Sequence, residues 1–180
     1  VNDRPLGVVK ASGGHMNTLV LMEDGTVKGC GGSYNGIFLN NQTGKNPQRC
    51  TSKQEMYNGI PSLDFGVYGA LYNRAIDLTV STTHQCVTRQ KDGNTTYPVV
   101  LCWGQNSKGA LGIGSTQDVV YFPPTGTDIT NMTHTISWES RGLATRKITA
   151  SKDNTCALVE NVTDPSYTGQ PKSGPLHLMC

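Results

Sequence analysis

Long apolar runs are missing from this chain of 180 residues. None approaches the roughly 18 consecutive apolar residues of a membrane-spanning helix, which excludes such a span in this segment. Charge is scarce too: 16% of residues are Asp, Glu, Lys or Arg, and the formal net charge is +2. The basic residues are scattered and form no stripe interleaved with aromatics, so nucleic-acid binding has little electrostatic support. No G-x-S-x-G elbow, H-E-x-x-H pair or close carboxylate dyad occurs, so the sequence offers no catalytic constellation and implies no cofactor and no metal. Residues 1–5 do not resemble a signal peptide, which leaves a removed signal or a segment lying downstream of one as the expectations. No long stretch shows helical apolar spacing.

What is present is glycine, small polar residues and short strands. Ile76, Leu78 and Val80 alternate with period two, and Val99, Val100 and Leu101 read as a buried strand. A motif recurs three times. Its fullest copy is LCWGQNSKGALGIG at 101–114, preceded by STTHQCV at 81–87. An earlier copy reads ASGGH at 11–15 and EDGTVKGCGGSYNG at 23–36, and a later one ASKDNTCALV at 150–159, then LHLMC at 176–180. Matching Ser12, Ser81 and Ser151 gives steps of 69 (81 − 12) and 70 (151 − 81), the signature of a repeat architecture whose units bury a core only by stacking.

These residues resemble the regulator of chromosome condensation (RCC) repeat, on the small-residue/His/Cys opening, the Asp24-Gly25 and Asp92-Gly93 turns, and above all Cys102 to Asn106 followed by Gly109 to Gly114. The resemblance implies an all-β fold: a partial β-propeller of about three blades, a piece of a larger ring. The approximate repeats are 8–75, 76–145 and a truncated 146–180. It assigns a structural role to Trp103, Gly104, Asn106, Gly109, Leu111, Gly112 and Gly114, and to His15 and His84 at one repeat position. Two departures stand out: Ala110 replaces the family's usual Gln, and Gly31-Gly32 stands where Trp-Gly is expected. The glycines do not form a phosphate loop, because the spacing is not G-x-G-x-x-G and no βαβ pattern surrounds them.

Cysteine spacing carries information of its own. Cys86 and Cys102 are equidistant from Asn94, which places them opposite one another across a hairpin and within disulfide reach. Cys156 and Cys180 are likewise centred on Thr168, and by elimination Cys30 pairs with Cys50. Zinc is the alternative, since His84 lies near Cys86 and His177 near Cys180, but residues two apart on a strand do not make a C-x-x-C knuckle. Four N-x-T sequons, at Asn41, Asn94, Asn131 and Asn161, fall at presumed hairpin tips or loops. Together with oxidised cysteines they point to a secreted or cell-surface glycoprotein. The nucleotide-exchange activity that the resemblance would suggest belongs to a reducing compartment, and fold alone does not transmit function.

The expectation is therefore a non-enzymatic structural or adhesive module in a surface, matrix or filament assembly, with other protein subunits or further copies of the same protein as partners. The alternative is a recognition propeller that binds a protein or carbohydrate through its loops, with Tyr121 and Trp138 as aromatic contacts.

Overall fold

Each repeat folds as an antiparallel meander that climbs outward from an inner strand. The computed structural model describes residues 7–32, 39, 62–91, 94–120, 122, 135–163 and 176–180. The first blade contains β1 (Val8–Gly13), β2 (Asn17–Met22) and β3 (Val27–Gly31), in that order. The second contains β4 (Arg74–Val80), β5 (His84–Lys91), β6 (Asn94–Gly104) and the short β7 (Thr135–Ile136). In the third, β8 (Leu143–Ala150), β9 (Thr155–Asn161) and β10 (Leu176–Met179) follow the same path. Among the described residues, the elements other than strands are α1 (Gly66–Leu71) and a 3-10 turn at Glu139–Arg141. No described helix is long and apolar enough to cross a membrane.

Local chemistry sets the turns. Asp24 Oδ1 accepts from the Thr26 amide and hydroxyl, at 2.8 and 2.7 Å, while Gly25 takes a φ of 80° between β2 and β3. Asp64 Oδ1 accepts from the Gly66 amide at 2.7 Å and closes the entry to α1, whose Val67 and Tyr68 turn into the core.

Backbone markers, rather than residue names, fix the true repeat. A β-bulge interrupts each inner strand at the same place: between Val8 and Lys10, between Ala75 and Asp77, and between Thr145 and Lys147. The turn after each inner strand is closed by one bond, from Gly14 N to Asn17 O, Ser81 N to His84 O, and Ser151 N to Asn154 O. Both markers give steps of 67 (77 − 10) and 70 (147 − 77). Ser12 therefore corresponds to Thr79 and Thr149, and Gly14 corresponds to Ser81 and Ser151. This corrects the match of Ser12 with Ser81, and that of His15 with His84, whose counterparts are Asn17 and Asn154.

A second correction concerns the first copy's glycines. Asn17 pairs with Gly31 as His84 pairs with Gly104, so Gly31 is the counterpart of Gly104 and Cys30 takes the place of Trp103. The β5–β6 hairpin is longer than β2–β3, which shifts the outer half of the repeat and hid this alignment.

One core runs across the three blades, from Leu19 and Val27 to Ile148, Ala157 and Val159. Trp103, Leu101, Leu111, Leu78, Val87 and Leu19 are all fully buried. Phe65 meets Trp103 edge-on with ring centroids 5.6 Å apart, and Phe122 lies 6.1 Å from Phe65 and 5.5 Å from Tyr68. The Arg89 guanidinium rests 4.4 Å above the Phe65 ring, and its desolvation pushes the pKa down to about 10. The two ends of the arc are less covered: Val8 and Val9 on β1, and Leu176 and Leu178 on β10, are exposed.

Candidate functional site

Adjacent blades are bonded through side chains that accept from backbone amides of the next inner strand. Val80 N donates to Ser12 Oγ at 3.1 Å across the first seam, and Ala150 N donates to Thr79 Oγ1 at 3.1 Å across the second. Because Ser12 and Thr79 are repeat counterparts, this is one bond used twice. Asp77 joins both seams: Oδ1 accepts from Lys10 Nζ at 2.5 Å, and Oδ2 accepts from Ile148 N at 3.0 Å. Asp77 is buried but the Lys10 side chain is 41% exposed, so the bond from Ile148 N is shielded from solvent while the ion pair with Lys10 is screened.

His84 sits at the second seam with both ring nitrogens engaged. Nδ1 is 3.1 Å from Ser81 Oγ and from Thr83 Oγ1, and Nε2 is 2.7 Å from Thr155 Oγ1 of the third blade. Thr83 Oγ1 also donates to Lys152 O. Burial pushes the imidazole below its ordinary value of 6.5, opposed in part by the Asp153 carboxylate. The fold thus favours neutral His84. Its contribution is complete above about pH 6.5 and is lost as pH falls below that value. Unfolding free energy should decline as pH falls below about 6.5, as read by urea titration, and His84→Asn should flatten that decline. Asn is the residue of the other two copies, and Asn154 accepts there from Ser151 Oγ at 2.5 Å.

The motif residues form a folded loop rather than a reactive one. Asn106 is fully buried; its Oδ1 accepts from Leu111 N at 3.0 Å, its Nδ2 donates to Ser115 O at 2.8 Å, and its amide donates to Asp118 Oδ1 at 2.7 Å. The side chain thus holds a turn whose Gly109, Gly112 and Gly114 have φ of 73°, 67° and 73° and which plants Leu111 in the core. Gly104, with φ of 113°, bridges Val119 and brings Gln105 N to Thr83 O at 2.9 Å. Asp77, Lys10 and Thr79 were not singled out from the sequence, and Ser12 served there only as a repeat marker matched with Ser81; a repeat alignment anchored on the inner-strand bulge would have brought them together.

The structure joins Cys86 to Cys102 and Cys156 to Cys180, each with Cα atoms 4.1 Å apart. Cys30 is disulfide-bonded, no described cysteine is free, and Cys50 lies outside the described residues. Cys86 faces Cys102 directly, yet Asn94 is not in the turn: it opens β6 and pairs with Lys91, because the register shifts between Arg89 and Lys91. Asn161 ends β9, is exposed, and accepts through Oδ1 from the Thr163 amide and hydroxyl at 3.1 and 2.9 Å. Asn41, Asn131 and Tyr121 lie outside the described residues. Among the described residues no group of three or more His, Cys, Asp or Glu could hold a metal ion.

Trp138 is half-buried and lines a cleft of about 610 Å³ between the second and third blades. Ile136 and Val100 form one wall, Asp153, Asn154 and Ala157 the other, with Met179 and the Cys156–Cys180 bridge at the margin.

No protein-family model and no curated protein matches the chain. Solved structures do. Prp20p from Saccharomyces cerevisiae, described with its binding to Gsp1p and histones, is 14% identical with a TM-score of 0.56, over 91% of this chain and 33% of its own. Yeast RCC1 (Prp20) bound to Kap60 is 15% identical with a TM-score of 0.50, over 86% of this chain and 30% of its own. Human WBSCR16 is 18% identical with a TM-score of 0.47, over 88% and 33%. The chain spans about a third of the length of the structures it matches. At such identity the likeness to yeast Prp20p is one of fold alone, and with the blade order and seams above it shows that this chain has the fold of consecutive blades of a partial β-propeller like that of RCC1.

Proposed function

We propose that this arc is a disulfide-bearing, extracellular variant of the RCC-type propeller, acting as a structural or adhesive module in a surface, matrix or filament assembly. The observation that carries the reading is the pair of bridges at one repeat position in consecutive blades, Cys86–Cys102 and Cys156–Cys180. Such bonds form and persist in oxidising compartments. N-linked glycans at Asn41, Asn94, Asn131 and Asn161 would belong to the same setting, and exposed Asn161 has the surface placement a glycan requires. Its partners are other protein subunits or further copies, since the arc leaves apolar side chains uncovered at both ends.

A recognition role for protein or carbohydrate is the second reading, favoured by Trp138 beside Asp153 and Asn154 in the interblade cleft. Non-reducing peptide mapping of protein from its native source tests the first reading. Linked Cys86–Cys102 and Cys156–Cys180 peptides and glycan masses at the sequons are expected. Free thiols together with bare asparagines would contradict it.

A further inference from the structure

Arg89 occupies a position that the other two blades fill with apolar side chains. It pairs with Ala75 beside the inner-strand bulge, as Met22 pairs with Val8 and Val159 with Thr145. Met22 and Val159 are fully buried and Arg89 is 5% exposed, so packing at this point is satisfied twice without a charge. A buried guanidinium carries a desolvation cost that an apolar residue does not.

The local contacts of Arg89 offset only part of that cost. Nε donates to the Tyr72 carbonyl at the end of α1, and the face of the group rests on the Phe65 ring. Among the described residues no acceptor meets its Nη1 and Nη2 groups and no ion pair includes it. Desolvation without a compensating anion is what holds its pKa down at about 10. Capping α1 therefore accounts for one donor of the fork and leaves the other two nitrogens unexplained.

Those nitrogens belong to a side chain that lines a pocket of about 300 Å³ at the first seam. The pocket is also lined by the β2–β3 turn at Gly25 and Thr26, by Asp64 before α1, and by Asn73 after it. Asp64 is exposed to solvent and, although it shares the pocket, forms no ion pair with Arg89.

We infer that this pocket is a binding site for a carboxylate, held by Nη1 and Nη2 of Arg89 in a bidentate contact. The planar fork of a guanidinium matches the two oxygens of a carboxylate. Asp64 restricts the ligand to a single negative charge, because its own carboxylate repels the second charge of a phosphate. The site is distinct from the cleft beside Trp138 and holds in any compartment.

N-acetylglutamate α-methylamide, whose one charge is the side-chain carboxylate, is the probe, titrated into the intact disulfide-bonded chain. The NMR shifts of the Arg89 Nε–H and Gly66 N–H groups report on it. Saturable shifts with half-saturation at about 1–10 mM are expected, with the uncharged glutamine isostere binding at least about 10-fold more weakly. Acetate separates the sources of the carboxylate. Equal affinity supports a small free acid, and affinity about 10-fold lower supports an acidic peptide side chain. Arg89→Met, which installs the first blade's own residue, should still fold and should lose the Gly66 shift; Arg89→Lys should weaken binding about 5-fold or more by removing the fork. No shift up to about 50 mM, equal binding of the glutamine isostere, or an unchanged Gly66 shift in folded Arg89→Met would overturn the inference. So would tighter binding of inorganic phosphate than of the carboxylate.

Discussion

Trp103→Ala should lower the unfolding free energy by about 3–5 kcal/mol, the largest single-residue loss expected anywhere in the arc. The indole is fully buried and touches Phe65 and Phe122, whose rings lie 5.6 and 6.3 Å from it. Truncation removes the apolar area and leaves a cavity that the flanking sheets cannot close, because each is held by its own hydrogen-bond ladder. Urea unfolding followed by circular dichroism would read the loss as a lower midpoint. A shift under about 1 kcal/mol would mean that the second blade does not depend on its seam with the first.

Gly104→Ala comes next, at about 3 kcal/mol. Two effects add. A φ of 113° lies where side chains are strained, and a Cβ there would stand 2.7 Å from Thr83 O and 2.8 Å from His84 Cα, both backbone atoms that cannot swing away. Gly109 provides the control. Its φ is also positive, at 73°, but a Cβ would meet nothing within 4 Å, so Gly109→Ala should cost only about 1–2 kcal/mol. Equal losses at the two positions would show that backbone strain alone decides, and that the close approach of Gly104 to the second strand contributes nothing.

This contrast explains what the sequence could and could not disclose. Trp103, Gly104, Asn106 and Leu111 were legible because their spacing is dictated by one turn: Asn106 accepts from Leu111 five residues on, and little else satisfies a buried amide there. Cys86–Cys102 and Cys156–Cys180 were legible because opposed residues on a hairpin are placed symmetrically. The turn between Cys86 and Cys102 was still misplaced, since a register shift after Arg89 moves Asn94 into the strand without altering the Cys86–Cys102 pair. Symmetry about a midpoint survives such a shift; the identity of the midpoint does not.

The inner seams were not legible. Matching serines by type set Ser12 against Ser81, two positions out of register, whereas the hydroxyl that repeats the job of Ser12 belongs to Thr79. Ser and Thr are interchangeable as acceptors for a backbone amide, so chemical identity carried less information than the bulge beside Lys10, Asp77 and Lys147. Asp77 escaped notice for a related reason. Its counterparts are both lysines, and only the fold shows that one of them, Lys10, is its partner.

The central claim is that three repeats stack as consecutive blades through the same side-chain-to-amide bond. Amide hydrogen exchange in the Thr79→Val variant tests it most directly, because that change removes the acceptor for Ala150 N while keeping size and strand preference. The account predicts faster exchange at Ala150 with Val80, bonded to Ser12, unchanged. Unaltered protection at Ala150, or loss of protection equally at both amides, would contradict it.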